Sequence, residues 1–205
     1  MGKEFLQGTG PYYLDHPEIL QLNSAILDVF KPKHRAAFFT TCSWAKPYSC
    51  SYIHQSIRKG LLEADLLDKV DYIHVSSAGI IPAEMELWAT WYDWNNEWVQ
   101  DEYTLLLLQA RIAMRLQVFL NRFSYEHMFF YIRLDSNTFK GVKRVVDIKI
   151  GCWVNSWWNV FPRISTNDEI QLDTLRESLL RSDPDDILAI PSVVSKACAR
   201  MKEIL

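Results

Sequence analysis

Residues 36–54 read AAFFTTCSWAKPYSCSYIH, and they join two regular elements through a loop that is dense in reactive side chains. The first six residues are apolar and end in two threonines, which is typical of a buried strand. From Ser51 to about Asp68 the apolar residues recur with helical spacing. Residues 70–76, VDYIHVS, form a second strand-like run. This order predicts a βαβ unit with parallel strands and a right-handed crossover.

The rest of the chain continues this alternation of helices and strands. Apolar spacing predicts further helices over residues 17–30, 83–90, 98–123 and 138–147. It predicts further strands over residues 128–134 and within 145–154. Residues 76–82 are expected to be a loop, 91–94 a short extended segment and 157–162 a loop or edge segment. Capping residues predict helices over 167–181 and from 183 onward, with a break at Pro191.

This pattern favours a three-layer α/β/α sandwich with a mainly parallel central sheet. We interpret the 205 residues as one domain. Its predicted parts are an N-terminal extension and helix (1–34), a core of sheet and helices (35–160) and C-terminal helices (161–205). The eight tryptophans are compatible with a large aromatic core, a partner surface or a base-stacking site.

Charge and cysteine content narrow the function classes. A net charge of -3 argues against a domain that grips nucleic acid by electrostatics alone, although another chain could present the nucleic acid. The four cysteines show no CxxC and no metal-ligand spacing. Without a secretory signal or an apolar run long enough to span a membrane, we expect a cytoplasmic chain with free thiols.

The loops at the carboxyl ends of the strands are the expected ligand site, as in open α/β sheets generally. This rule brings together the loops after Thr41, Ser76 and Leu134. A helix N-terminus, Lys46 and a protonated His54 could each lower the pKa of the Cys42 thiol. The alternative is that Cys42 is simply a small buried residue.

The other candidates also have two interpretations each. His54 could act as a base or could be a helix-face histidine bonded to a carbonyl. Lys46 could bind an anion or be solvated, and Tyr48 could stack on a base or belong to the core. Of the next helix, only Glu84, and not Glu86, is expected to reach the cleft.

Asp93 lies among aromatic residues in the sequence. Its carboxylate either faces solvent or is kept among these rings because it has a function. The acidic run containing Asp183, Asp185 and Asp186 is interpreted as a solvated helix cap.

Two stretches resemble a known family. Residues 42–54 follow the pattern Cys-Ser-x-x-Lys-Pro-Tyr-x-x-Ser-x-x-His, which resembles a motif of the core domain of archaeosine synthase. Residues 75–86, VSSAGIIPAEME, with Tyr92-Asp93 and Trp98 beyond them, look like a second motif of that family. Thr41 and Ala78 stand where the family motifs have proline, and Ile53 where they have serine.

The resemblance implies tRNA modification in archaea. Archaeosine synthase is related to tRNA-guanine transglycosylase and attaches lysine to the nitrile of 7-cyano-7-deazaguanine in tRNA, and a radical-SAM partner then cleaves the adduct. The resemblance also implies a fold similar to uracil-DNA glycosylases. We expect no cofactor bound by this chain, since the radical-SAM partner brings its own Fe–S cluster and S-adenosylmethionine.

The resemblance also implies partners, because the other domains of the family are too large to fit in 205 residues. Neither a transglycosylase barrel nor a PUA domain fits, so we expect a split or stand-alone form that meets tRNA through a transglycosylase-like, PUA-containing chain. Free lysine is the expected co-substrate, and no membrane is involved.

On physical grounds we also predict a mechanism for this reaction, with a role for three of the matched residues. Cys42 would add to the nitrile, His54 would shuttle the proton and Lys46 would hold the carboxylate of the incoming lysine.

The other predicted contacts are with substrate. Hydrogen-bonding and binding roles fall on Ser43, Tyr48, Ser51, Ser76, Ser77, Glu84 and Asp93. Two alternatives stay open: a non-catalytic module that docks through its tryptophans (Trp88, Trp91, Trp94, Trp153, Trp157 and Trp158), and a glycosylase-like base enzyme suggested by fold analogy alone.

Overall fold

A computed structural model describes residues 5–8, 10–93, 99, 101–149, 165–179 and 183–205, apart from the side chains of 146–149. The strands are β1 (Leu6–Gln7), β2 (Ala36–Thr41), β3 (Val70–Ser76), β4 (Gly79–Pro82), β5 (Tyr92–Asp93) and β6 (His127–Tyr131). The helices are α1 (Pro11–Leu14), α2 (Pro17–Val29), α3 (Tyr52–Glu63), α4 (Glu102–Arg122), α5 (Asn137–Lys149), α6 (Thr166–Leu179) and α7 (Pro191–Lys202). Within the described residues, 3₁₀ segments lie at Tyr48–Cys50, Ala83–Ala89 and Pro184–Ala189.

The main sheet has the strand order β4-β3-β2-β6. Strand β2 runs parallel to both β3 and β6, and β4 is antiparallel to β3 at the edge. A small second sheet pairs β1 with β5 in parallel. The predicted βαβ unit of β2, α3 and β3 is therefore confirmed, and the sheet is mainly parallel.

Strand β2 is buried along its whole length because helices cover both faces of the sheet. Ala37 and Phe39 point into one core, which α2, α4 and α5 close. Ala36 and Phe38 point into the other core, which α3, α7 and the 3₁₀ segment Pro184–Ala189 close. This alternation along one strand produces two cores and three layers, so the predicted α/β/α sandwich is confirmed.

Local signals account for the ends of the long helices. Pro17 occupies the first turn of α2, and His16 accepts a hydrogen bond from the Glu18 backbone N–H. Asp101 caps α4 by accepting hydrogen bonds from the backbone N–H groups of Tyr103 and Thr104. Within the described residues, α4 alone has the length and mean hydropathy of a candidate membrane span, and 44% of its most apolar window is buried in the protein.

The structure corrects the sequence prediction at several elements. Residues 79–82 form strand β4 rather than a loop, and α5 continues to Lys149, where a strand was expected to begin. Helix α3 ends at Glu63, before Asp68, and residues 83–89 form a 3₁₀ segment. The predictions for residues 150–154 and 157–162 lie outside the described residues.

The turn into β4 was missed because its stabilising contact is long-range. Asn23 of α2 donates from its Nδ2 to the carbonyl of Ala78, at 2.6 Å. The next residue, Gly79, has a φ of +154°, and a Cβ there would lie 2.3 Å from Asn23 Oδ1. The tight turn therefore depends on a helix far away in sequence, with glycine as the residue that fits.

We expect Phe39→Ala to destabilise the fold by about 3–5 kcal/mol, because it empties a fully buried position. The Phe39 ring stacks on Phe130 with centroids 4.5 Å apart, so the cavity would open between the neighbouring strands β2 and β6. Urea unfolding monitored by circular dichroism measures the change. Phe5→Ala, at a side chain that is 56% exposed, is the matched control and should change stability by less than about 0.5 kcal/mol.

Candidate functional site

The loop after β2 places the first motif at the carboxyl edge of the sheet. Cys42 follows the last residue of β2, the 3₁₀ segment Tyr48–Cys50 turns the chain, and Ser51 occupies the N-cap of α3. The peptide bond between Lys46 and Pro47 is cis. The loop therefore crosses from the central strand to the helix above the end of β3.

Lys46 is nearly buried and reaches the second motif. Its Nζ lies 3.9 Å from Asp93 Oδ1, and the two side chains are only 11% and 15% exposed. The same ammonium lies 4.6 Å from the centroid of the Tyr92 ring and 5.7 Å from that of Tyr48, within cation–π range. Lys46 and Asp93 are thus brought together as a pair that is held inside the site.

A chain of hydroxyl groups connects the two motifs. The Tyr48 hydroxyl lies 2.8 Å from the Tyr92 hydroxyl, which is also hydrogen-bonded to Ser76 Oγ. Ser76 Oγ in turn accepts a hydrogen bond from the Ala78 backbone N–H at 3.0 Å. Tyr92 belongs to the second motif but was not predicted as a site residue, because only its position on β5 shows that it bridges Tyr48 and Ser76.

His54 lies beneath this chain and not at the mouth of the loop. It has no exposed surface, and its Nδ1 lies 2.9 Å from the Tyr72 hydroxyl. Its ring packs edge-on against His74, with centroids 4.6 Å apart, and His74 in turn packs against Tyr48 at 4.2 Å. The expected role at the loop is therefore not supported by the position of His54, whose contacts are with the core.

Both histidines are neutral at neutral pH because of their burial. Burial, with a further effect of the Arg58 charge, lowers the pKa of His54 to about 3. Burial also holds the pKa of His74 well below its ordinary value, and His54 and Arg58 lower it further. Neither ring nitrogen of His74 has a hydrogen-bond partner in the described part of the chain.

The two glutamates after β4 exchange the roles expected for them. Glu84 is exposed and forms an ion pair with Lys33, which leaves it outside the cluster. Glu86 instead accepts a hydrogen bond from the Ser49 backbone N–H at 2.9 Å and lies 3.8 Å from His74 Nε2. The prediction failed because residues 83–89 form a 3₁₀ segment, which changes the direction of every side chain relative to an α-helix.

Cys42 is half-buried and its thiol is protonated at neutral pH. Burial raises the pKa of this thiol to about 11, and the charges of Asp185 and Asp183 act in the same direction. Lys46 lowers this pKa, as expected, but its effect is smaller than that of burial. The expected thiolate is therefore not the resting state.

Asp185 was missed as a neighbour of the loop. Its Oδ2 accepts a hydrogen bond from Thr41 Oγ1 at 3.1 Å, and its Oδ1 accepts one from Arg133 Nε at 2.9 Å. Asp186 is fully buried and forms a capping box with Asp183. The acidic run therefore caps the 3₁₀ segment, as predicted, but it is not solvated, and no local sequence pattern connects it with Thr41.

The predicted serines differ in their surroundings. Ser43 Oγ donates to the Ala45 carbonyl at 3.2 Å, and the Ser43 carbonyl lies 3.4 Å from Lys46 Nζ. Ser51 is buried at the start of α3 and makes no side-chain capping bond. Ser77 is buried, and its carbonyl accepts a hydrogen bond from Arg115 at 2.5 Å.

The tryptophans in the described residues differ in their exposure to solvent. Trp91 is buried, Trp88 is 41% exposed and Trp44 is 68% exposed. The predictions for Trp94, Trp98, Trp153, Trp157 and Trp158 lie outside the described residues.

Among the residues that the structure describes, no group of three His, Cys, Asp or Glu side chains could hold a metal ion.

We expect Tyr92→Phe to lower the free energy of unfolding by about 1–3 kcal/mol, because the Tyr48 and Ser76 hydroxyls each lose a buried partner. Chemical denaturation measures the loss. Tyr103→Phe, at a side chain that is 69% exposed, is the control and should have no measurable effect. Equal stabilities of the two variants would contradict the bridging role of Tyr92.

We expect acid to destabilise the protein below pH 6.5, the ordinary histidine pKa, because His54 takes up a proton only on unfolding until the pH reaches about 3. In this window stability should fall by about 1.4 kcal/mol per pH unit for each such histidine. His54→Asn keeps a hydrogen-bonding atom near Tyr72 and should flatten the profile of unfolding free energy against pH. Gln55→Asn, at an exposed position of the same helix, removes no titratable group and should leave the slope unchanged.

Comparisons with known proteins support a family assignment. No curated protein matches the sequence. Among solved structures, the crystal structure of AF0587, a protein of unknown function, is similar in fold, with a TM-score of 0.50 and 18% identity over 79% of this chain and 50% of that one. The chain therefore spans half the length of that protein. The model of a family described as "Domain of unknown function (DUF5591)" matches residues 19–155, more than half of the chain, and the protein belongs to this family.

Proposed function

We propose that the protein is a transferase for a modified tRNA base, acting as a stand-alone or split subunit of archaeosine synthase that adds lysine to the nitrile of 7-cyano-7-deazaguanine. The observation that carries this proposal is the meeting of the two motifs. Lys46 of the first motif pairs with Asp93 beyond the second, and Tyr92 joins Tyr48 to Ser76. Residues that resemble the family's motifs therefore form one cluster at the ligand-binding edge of the sheet.

Cys42 is the proposed nucleophile because it is the thiol at this edge. Its sulfur forms a bond to the nitrile carbon, one π bond of the nitrile breaks, and the thiol proton passes to the nitrile nitrogen, which gives a thioimidate. The ε-amine of lysine then forms a C–N bond as the C–S bond breaks, and a proton from the amine returns to the sulfur. A thiol that is protonated at rest supplies the proton that the first step requires.

Lys46 is the proposed binding group for the carboxylate of the incoming lysine. Its 3.9 Å distance to Asp93 is longer than that of a charge-assisted hydrogen bond, so the ammonium keeps donors available. The neighbouring aromatic rings hold it in place without neutralising it. His54 is assigned a supporting position under Tyr48 in place of the expected proton shuttle.

The proposed partners follow from charge. With a net charge of -3, the chain would meet its tRNA through a transglycosylase-like, PUA-containing subunit. A radical-SAM partner would process the lysine adduct with its own Fe–S cluster and S-adenosylmethionine. The setting we propose is the cytoplasm.

A non-catalytic docking module is the second candidate, and exposed apolar side chains favour it. Trp44 on the loop is 68% exposed, and Leu87 and Trp88 on the 3₁₀ segment are 67% and 41% exposed. The two segments are joined by the hydrogen bond between Ser49 and Glu86. Such a patch beside the site suits contact with another subunit.

We expect Cys42→Ala to abolish lysine transfer, because the covalent step requires the sulfur. The assay combines tRNA that bears the cyano base, free lysine and this chain, with and without candidate partner chains, and identifies nucleosides by mass spectrometry. Cys50→Ala, at an exposed thiol on the same loop, is the matched control and should keep full activity. Full activity of Cys42→Ala would exclude covalent catalysis by this thiol. If the partner chains form the product only when this chain is present, and the Cys42→Ala variant serves as well as the unchanged chain, the docking module is favoured.

A further inference from the structure

Lys46 and Asp93 leave hydrogen-bonding capacity unused, although both side chains are nearly buried. The Lys46 ammonium carries three N–H donors, and its hydrogen bond to the Ser43 carbonyl is long, at 3.4 Å. Within the described residues the Asp93 carboxylate has no hydrogen bond, and its contact with Lys46 is 3.9 Å long. Because buried charged groups are normally hydrogen-bonded, a ligand would complete this pair.

A small cavity lies beside Asp93, and a second unpartnered polar group lines it. Its volume is about 10 Å³, and Ser77, Tyr92 and Asp93 form one wall. Ser77 is 6% exposed, and its Oγ has no hydrogen-bond partner in the described part of the chain. A cavity of this size has room for about one water molecule, which is also the size of an ammonium group. The cavity therefore suits a small hydrogen-bond donor.

The opposite wall belongs to the N-terminal strap, which we define as β1 (Leu6–Gln7) and α1 (Pro11–Leu14). Strand β1 pairs in parallel with β5, which is part of the second motif. Arg115 holds the two walls together, because it donates hydrogen bonds to the Leu14 carbonyl on the strap and to the Ser77 carbonyl. The N-terminal strap precedes the segment that matches the family, so this wall is not part of the motifs.

Two opposite charges at this separation complement the headgroup of a free α-amino acid. In such a molecule the amino nitrogen and the carboxyl carbon are about 2.5 Å apart, so one ligand can reach both partners. A ligand carboxylate at Lys46 and a ligand ammonium at Asp93 would replace the long contact between them with charge-assisted hydrogen bonds. A simple amine or a simple carboxylate would satisfy only one of the two charges.

We propose that Asp93 and Ser77 bind the α-ammonium of a free amino acid whose carboxylate lies at Lys46, and that the N-terminal strap closes this subsite. The identity of the amino acid as lysine rests on the proposed function, but recognition of the headgroup does not. In the proposed reaction, a headgroup held in this way leaves the ε-amine as the end that attacks the carbon bound to Cys42.

The test is the binding of three small molecules to this chain, without tRNA or partner chains, measured by isothermal titration calorimetry. L-Lysine has both headgroup charges, Nα-acetyl-lysine lacks the α-ammonium and cadaverine lacks the carboxylate. Each missing group leaves a buried charge without its partner. We therefore expect both analogues to bind at least about tenfold more weakly than lysine.

Matched variants connect this selectivity with the named residues. Asp93→Asn should weaken lysine binding about tenfold but leave the affinity for Nα-acetyl-lysine nearly unchanged, because that ligand has already lost the interacting group. Ser77→Ala should have the same selective effect, with a smaller loss. Glu126→Gln, at a carboxylate that is 58% exposed and lies just before β6, is the control and should change neither affinity.

Two glycines beside the elements of the N-terminal strap test its role. A Cβ at Gly8 would lie 2.1 Å from the ring of Tyr13, which lines the cavity, whereas a Cβ at Gly10 would meet nothing within 4 Å. Gly8→Ala should therefore weaken lysine binding, and Gly10→Ala should not. Equal lysine affinity of the two variants would overturn the closing role of the strap.

Two results would overturn the subsite itself, namely no binding of lysine, or equal binding of lysine and either analogue. Both are measured on the unchanged chain, so they decide the question even if Asp93→Asn does not fold. If binding is selective for the headgroup but the reconstituted system makes no lysine adduct, the proposed function fails and the subsite stands. A Cys42-dependent adduct that forms equally well from Nα-acetyl-lysine has the opposite meaning.

Discussion

The parallel pairing of β2 with β3 and β6 is the constraint on which the rest of the structure depends. Because β2 is buried on both faces and hydrogen-bonded on both edges, only its ends can present polar chemistry. The chain changes from apolar to reactive residues where β2 ends, at Thr41. The loop that follows must cross the end of β3 to start α3, and this path sets Lys46 and Tyr48 against Tyr92 and Asp93.

The cluster combines a rigid base with a charged rim. Beneath the loop, the rings of Tyr48, His54 and His74 pack on each other in neutral form, so they support the site without contributing charge. At the rim, ion pairs lie on either side of Cys42, from Lys46 with Asp93 and from Arg133 with Asp185. Cys42 is half-buried near these charges, and burial more than any single charge keeps its thiol protonated.

The sequence predicts those features that depend on neighbouring residues. Strands β2 and β3 were predicted at their observed limits, since a continuous apolar run needs no tertiary information to be recognised as a buried strand. The sequence predicts that the two motifs lie at the same edge of the sheet, but it does not predict the contact between Lys46 and Asp93. Strand β4 depends on a distant contact with Asn23, and Asp185 reaches Thr41 through tertiary folding alone, so neither leaves a local signature. His54 shows the same limit, since helical spacing cannot say that its face is turned into the core.

The span between Thr41 and Asp185 also has a consequence for the chain as it is synthesised. At about 5–20 residues per second, a ribosome needs on the order of ten seconds to add the 144 residues between them. Until residues 127–131 are added β2 lacks its neighbour β6, and until residue 185 is added Thr41 lacks its partner. Until the residues of its core have been added, the Cys42 thiol is exposed to solvent, and exposure favours oxidation. The contact between Thr41 and Asp185 therefore forms only after β2, β3 and β6 have been synthesised.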